Sequence, residues 1–148
     1  MLFAVVIFMQ HSIAILSALD AFRHFQKEFT WDQEEVHILA LNPQKNLIST
    51  GLLFRGTVDF CLFHPRDVFR FLVRNNASSF ILAHNHPSGQ PEPSEADLVM
   101  TRKLQSLSAM MEIEFLDHLI LTPNAYRSLH EFGAFDSVRT RTRRIKKI

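Results

Sequence analysis

Residues 80–97 read FILAHNHPSGQPEPSEAD, and their order sets the kind of fold to expect. Phe80–Ala83 is a short, fully apolar run, which suits a strand buried on both faces. Pro87 to Pro93 is a loop rich in proline and glycine. Ser94 then starts a helix predicted to reach about Met111, with Leu98, Thr101, Leu104, Leu107 and Ala109 as its apolar stripe. In sheets of this kind ligands bind beyond the carboxyl ends of strands. His84 and His86 stand at that place.

Side chains at i and i+2 of an extended segment point the same way, so both imidazoles can face one point. Asp97 follows in the first turn of the helix, behind a loop that its prolines stiffen. Two nitrogens and one oxygen are a common catalytic zinc set, with the fourth position left for water. Zinc lowers the pKa of such a water toward about 7. Ser94-x-x-Asp97 also fits a capping box, with Ser94 as N-cap and Asp97 at N3. The two readings are compatible, because a cap would also fix the orientation of Asp97.

Working outward, Val36–Leu41 reads as a strand, Asn42–Asn46 as a turn and Leu47–Phe54 as a second strand, which together make a hairpin. Gly51 and Gly56 are candidate bends, and Val58–Phe63 a candidate third strand. Pro65 suits the first position of a helix running to about Asn75. Ile113–Leu121 is a further strand that Pro123 ends, and Ser128–Phe135 reads as irregular. Ser12–Phe29 has near-helical apolar spacing, with Ser12 as its cap. The alternation of strands and helices predicts an α/β fold, a mixed sheet sandwiched by helices. The expected organisation is a helical extension over 1–33, the main domain over 34–135 and a basic tail over 136–148.

The chain has 148 residues and 47% apolar content, enough for one domain with a real core. Its 14 Phe stand against one Trp and one Tyr, which points to core packing rather than base stacking. A single cysteine, Cys61, excludes an intramolecular disulfide and a cysteine-rich zinc site, and fits a cytoplasmic setting. The apolar run Met1–Met9 falls short of the roughly 20 residues a membrane span needs, and no Lys or Arg precedes Arg23 as a signal peptide would require. It is read as a buried strand or helix segment, with no membrane contact expected. Arg139, Arg141, Arg143, Arg144, Lys146 and Lys147 crowd the last ten residues. Taking those six from 16 basic residues leaves 10 against 15 acidic ones, so the body is acidic and the tail basic. Such a tail is either a solvated terminus or a contact for nucleic acid.

The set His84-x-His86, Ser94-x-x-Asp97 resembles the JAMM metalloprotease motif and, more closely, the RadC-like family that carries it. Matching positions include Gly56-Thr57, Pro65-Arg66, Asn76-Ala77, Thr101, Asp117-His118 and Ser128, and the likeness covers roughly Glu34 to Gly133. The resemblance implies a JAMM/MPN-like fold, a three-layer architecture like that of cytidine deaminases. It implies zinc on His84, His86 and Asp97, with a peptide or protein as substrate. The family's upstream glutamate, counted back from Leu41-Asn42, falls on Glu34, with Glu35 adjacent and on the opposite strand face. Glu34 would be the general base and Ser94 would donate to the oxyanion. Asn85 is expected to point away from the metal and brace the loop, His118 to pack or support the loop rather than orient a ligand, and Arg66 to cap or pair structurally.

The adjacent letters His-Asn-His do not indicate an HNH nuclease, whose residues are spread along a ββα unit. Many RadC-like proteins carry a DNA-associated helix-hairpin-helix region, for which the 33 residues before Glu34 leave no room. The expected function is a zinc-dependent metallohydrolase cleaving an amide or isopeptide bond. The alternatives are a DNA-associated repair or recombination accessory protein with a zinc-stabilised domain, and a metal-stabilised scaffold without turnover. Salt-dependent DNA binding that disappears on deleting residues 139–148 separates the second from the first.

Overall fold

In the computed structural model of the chain, residues 12–56 and 63–135 are described. The apolar run at the N-terminus, most of the candidate strand Val58–Phe63 and the basic tail lie outside them. The described elements are α1 (Ala18–Phe25), β1 (Glu34–Leu41), β2 (Leu47–Gly56), α2 (Pro65–Arg74), β3 (Ser79–Asn85), α3 (Glu95–Met111), β4 (Glu114–Leu121) and β5 (Tyr126–Ser128). The strands form one mixed sheet in the order β2-β1-β3-β4-β5, in which only the β3–β4 pair is parallel. A parallel pair needs a crossover, and α3 supplies it. Strand β3 lies at the centre, and all seven of its residues are buried.

Strand alternation sorts the apolar side chains onto two faces. Val36, Ile38, Ala40, Phe80, Leu82 and Ile120 join Val68 and Leu72 of α2 and Leu104 of α3 in one cluster. Leu39, Leu41, Ile81, Ala83, Leu119 and Leu121 join Phe22 and Phe25 of α1 in the other. The sheet is therefore covered on both sides, as the sequence predicts. Val68, Leu72, Leu104 and Phe25 are fully buried, each stabilising the fold by about 1.5–3 kcal/mol.

Five elements differ in detail from the sequence reading. Helix α1 begins at Ala18 under a Ser17 cap, not at Ser12. The main chain before it is committed elsewhere: Ile15 N donates to Lys45 O at 2.9 Å and Leu47 N to Ile13 O at 2.8 Å, which ties residues 13–15 to the hairpin turn. Strand β3 runs on through His84, which β1 and β4 hold from both sides, and Asn85, which pairs with Leu121 of β4. The irregularities of β2 fall at Ile48 and Leu53, the residues its register skips, and not at the glycines. At Gly51 a Cβ would come within 2.5 Å of the Phe71 ring, so close packing is the reason for that glycine. The buried stripe of α3 is Thr101, Leu104, Gln105 and Ser108, whereas Ala109 turns outward. Within the segment read as irregular, Ser128 closes the short strand β5 against Leu119.

One bulge positions the site. Opposite Phe80 and Ile81, β4 presents Phe115 and then Asp117, so Leu116 is extra. The shift rephases the strand. Phe115 and His118 both face α2 and α3, and Phe115 stacks on Phe80 with centroids 4.5 Å apart. No helix among the described residues is long and apolar enough to cross a membrane.

Candidate metal centre

His84 occupies the carboxyl end of β3 between Val36 and Ile120. His86 follows directly, its main chain held beyond the strand by His86 N donating to Leu121 O at 3.0 Å. Gly89, at φ +81°, then lets the chain turn back so that its N–H reaches His86 O. Asp97 enters from the first turn of α3 as N3 of a complete capping box. Ser94 N and Ser94 Oγ both donate to Asp97 Oδ2 at 2.7 Å, and Asp97 N donates back to Ser94 Oγ at 3.2 Å. Oδ2 is thereby tied down, and Oδ1 is left 3.2 Å from His84 Nε2. His86 Nε2 lies 2.9 Å from His84 Nε2 and 3.5 Å from Asp97 Oδ2. One ligand atom from each of the three residues lies within 4.8 Å of the other two, so His84, His86 and Asp97 come together as the sequence predicts.

The hydrogen bonds behind these atoms determine what they can offer. The carbonyl of Gln90 can only accept, so His86 Nδ1, at 2.9 Å, carries the proton. Thr101 Oγ1 donates its single proton to Asp97 O at 2.6 Å, and therefore accepts from His118 Nδ1 at 2.7 Å. A neutral His118 then accepts at Nε2 from His84 Nδ1, 2.8 Å away. Burial holds His118 well below the usual histidine range, and so in that neutral form. With both Nδ1 atoms protonated, both Nε2 atoms present lone pairs. Two imidazole lone pairs and one carboxylate oxygen therefore converge on one point. A cation satisfies them, either a proton or a metal ion. The donor set fits zinc.

The electrostatics agree. Burial works to raise the Asp97 pKa, yet when a proton rather than a metal fills the cluster, hydrogen bonds with His84 and His86, the His84 charge and Ser94 hold it far below the ordinary carboxylate range. Burial also disfavours charge on His86, but its bonds to Asp97 and Gln90 and the nearby carboxylates of Asp97 and Glu34 raise its pKa. The cluster is a carboxylate that stays ionised beside histidines it can share charge with.

Glu34 and Glu35 separate cleanly. β1 runs antiparallel to β3 with Val36 opposite His84, so Glu34 falls level with His86 and on the His84 side of the sheet. Glu35 is fully buried on the other side. It accepts from Arg55 Nε at 2.6 Å and Thr30 Oγ1 at 3.0 Å, and lies 3.1 Å from His37 Nε2. Burial opposes ionisation of Glu35, and the bonds from His37, Thr30 and Arg55 outweigh it and depress its pKa. Asn85 points away from the metal cluster and braces residues 33–35. His118 orients His84 directly instead of only packing in its strand. Thr101, read from sequence as part of an apolar stripe, completes that chain of hydrogen bonds. Arg66 is exposed and forms no ion pair among the described residues.

Comparison with known proteins gives a consistent result. The RadC-like JAB domain matches residues 15–134. The chain is similar to a UPF0758 protein of Staphylococcus aureus (strain bovine RF122 / ET3-1), 40% identical over 104 residues that make up 70% of this chain and 46% of that one. It is also similar to a UPF0758 protein of Thermotoga maritima, 37% identical over 117 residues, 79% of this chain and 53% of that one. The chain spans about half the length of the curated relatives it matches.

Proposed function

The chain belongs to the RadC-like JAB domain family, and from that premise we propose that it is a zinc-dependent hydrolase that cleaves an amide or isopeptide bond of a peptide or protein. The observation that carries the reading is the convergence of the His84 and His86 Nε2 lone pairs with the Asp97 carboxylate on one point, each imidazole held in that state by its own hydrogen bonds. His84, His86 and Asp97 would hold the metal. Zinc, when bound, supplies a Lewis acid that brings hydroxide within reach near pH ~7.

The remaining chemistry falls to the chain. Glu34, level with His86 on the ligand face, takes the proton of the attacking water and delivers it to the leaving amine. Its neighbour Glu35 is unsuited to that work, because its oxygens already accept from Arg55 and Thr30 on the far face. Ser94 is the residue assigned to the oxyanion. Its proton rests on Asp97 Oδ2, so donation to an oxyanion requires the side chain to rotate out of the cap. Its standing role is to aim Asp97. A cytoplasmic setting accompanies this reading.

The test is metal content together with substrate trapping. The purified protein should hold one zinc per chain, and His84→Ala should lose it. Glu34→Gln should keep zinc and accumulate uncleaved peptide or protein that the wild type does not retain. A wild-type protein that neither retains zinc nor gains stability when zinc is added would refute the proposal.

A further inference from the structure

Glu34 acts only if its carboxylate is held at a fixed place over the ligands, yet the β1–β3 pairing ends at Val36 and His84, two residues short of it. A side chain takes over where the ladder stops. Asn85, fully buried between the two histidines of the cluster, accepts at Oδ1 from Glu35 N at 2.7 Å and donates from Nδ2 to Gln33 O at 2.8 Å. Those two bonds bracket Glu34 on either side. We propose that Asn85 is the positioning residue for Glu34, a side-chain amide standing in for a strand main chain and locking the base to the segment that carries His84 and His86. The inference rests on the metallohydrolase reading above.

The chemistry of the amide explains the choice of residue. The 33–35 segment offers one N–H and one C=O, and a carboxamide has one acceptor and one donor group in a plane to meet them. Aspartate would set an oxygen against the carbonyl of Gln33, and alanine would leave both groups unmet in a buried place. Glu35 secures the far side, where Arg55, His37 and Thr30 surround its carboxylate. The main chain of Glu34 therefore has an anchor after it in Glu35 and one on each flank through Asn85. A displacement near 1 Å in such a group costs on the order of 100-fold in rate.

Acetohydroxamate tests this without a known substrate. A hydroxamic acid surrenders a proton as it chelates zinc, and a carboxylate base beside the metal takes it. Its affinity for the zinc-loaded protein therefore reports the placement of Glu34, while zinc affinity reports the ligands alone. Glu34→Gln and Asn85→Ala should each weaken acetohydroxamate about 10-fold or more while leaving zinc affinity within about threefold of wild type. The double variant should lose nothing further, because Asn85 acts through Glu34. Asn85→Asp, which keeps the volume, should behave like Asn85→Ala and carries the test if the alanine variant does not fold. Effects of Asn85→Ala and Glu34→Gln that add independently, or a parallel loss of zinc affinity, would overturn the role of Asn85. So would hydroxamate binding that responds to Glu34→Gln and not to Asn85. Hydroxamate binding indifferent to Glu34→Gln would instead refute the hydrolase reading itself.

Discussion

Removing the hydroxyl of Thr101 should weaken zinc binding, although the Thr101 side chain meets Asp97 only at its main-chain carbonyl and reaches His84 only through His118. In the wild type that hydroxyl accepts from His118 Nδ1 at 2.7 Å, which forces His118 to accept from His84 at 2.8 Å and leaves the His84 Nε2 lone pair free. Thr101→Val keeps the shape and removes the acceptor. His118 Nδ1–H is then a buried donor with no partner, a cost of about 1–3 kcal/mol. His118 escapes it by moving the proton to Nε2, which turns a donor toward His84 Nδ1. His84 must in turn carry its proton on Nε2, the ligand atom. Zinc binding then has to reverse both tautomers, so the same 1–3 kcal/mol appears as a loss of affinity of roughly 5- to 150-fold, at about 1.4 kcal/mol per tenfold. Competition with a chromophoric chelator at neutral pH measures it. Thr101→Ser restores the acceptor and should bind zinc like wild type. Equal affinity in Thr101→Val and wild type, or an equal loss in Thr101→Ser, would refute the argument.

Two further outcomes follow from the same geometry. Ser94→Ala removes the acceptor of Asp97 N and should lower the stability of the metal-free protein by about 1 kcal/mol, seen as a lower urea midpoint at unchanged m-value; an unchanged midpoint would mean the cap contributes nothing. Glu35 has a depressed folded pKa, so its contribution is present above the unfolded carboxyl pKa of about 4.3 and is lost as pH falls through the lower folded value. Melting temperature should therefore drop on that acid limb in wild type and drop less steeply in Glu35→Gln, while parallel profiles would show that Glu35 is not coupled to folding.

What the sequence made legible was local. The hairpin turn, the proline at the start of α2 and the cap of α3 are each encoded within a few adjacent residues, and each stands where its residues place it. The gathering of His84, His86 and Asp97 was readable for the same reason, since strand alternation and a cap bring them together over a short stretch. What escaped were long-range commitments. The start of α1 depends on main-chain bonds to residues 45–47, which no helix pattern announces. The facing of His118 depends on the extra residue Leu116, whose bulge arises from pairing with β3. Thr101 was invisible as a functional group because a buried threonine on a helix stripe has the same periodicity as an apolar residue.

The register between β1 and β3 also bears on how the site comes together during folding. His84 and Asp97 lie 13 residues apart, while Glu34 lies 50 residues before His84. Closing the short loop costs little chain entropy, and the metal ligands can be assembled by β3, its loop and the start of α3 alone. The base joins only when β1 docks along β3. A state with β1 detached would thus keep the means to hold a cation and lose the means to use it, so water activation is reserved for the completed sheet.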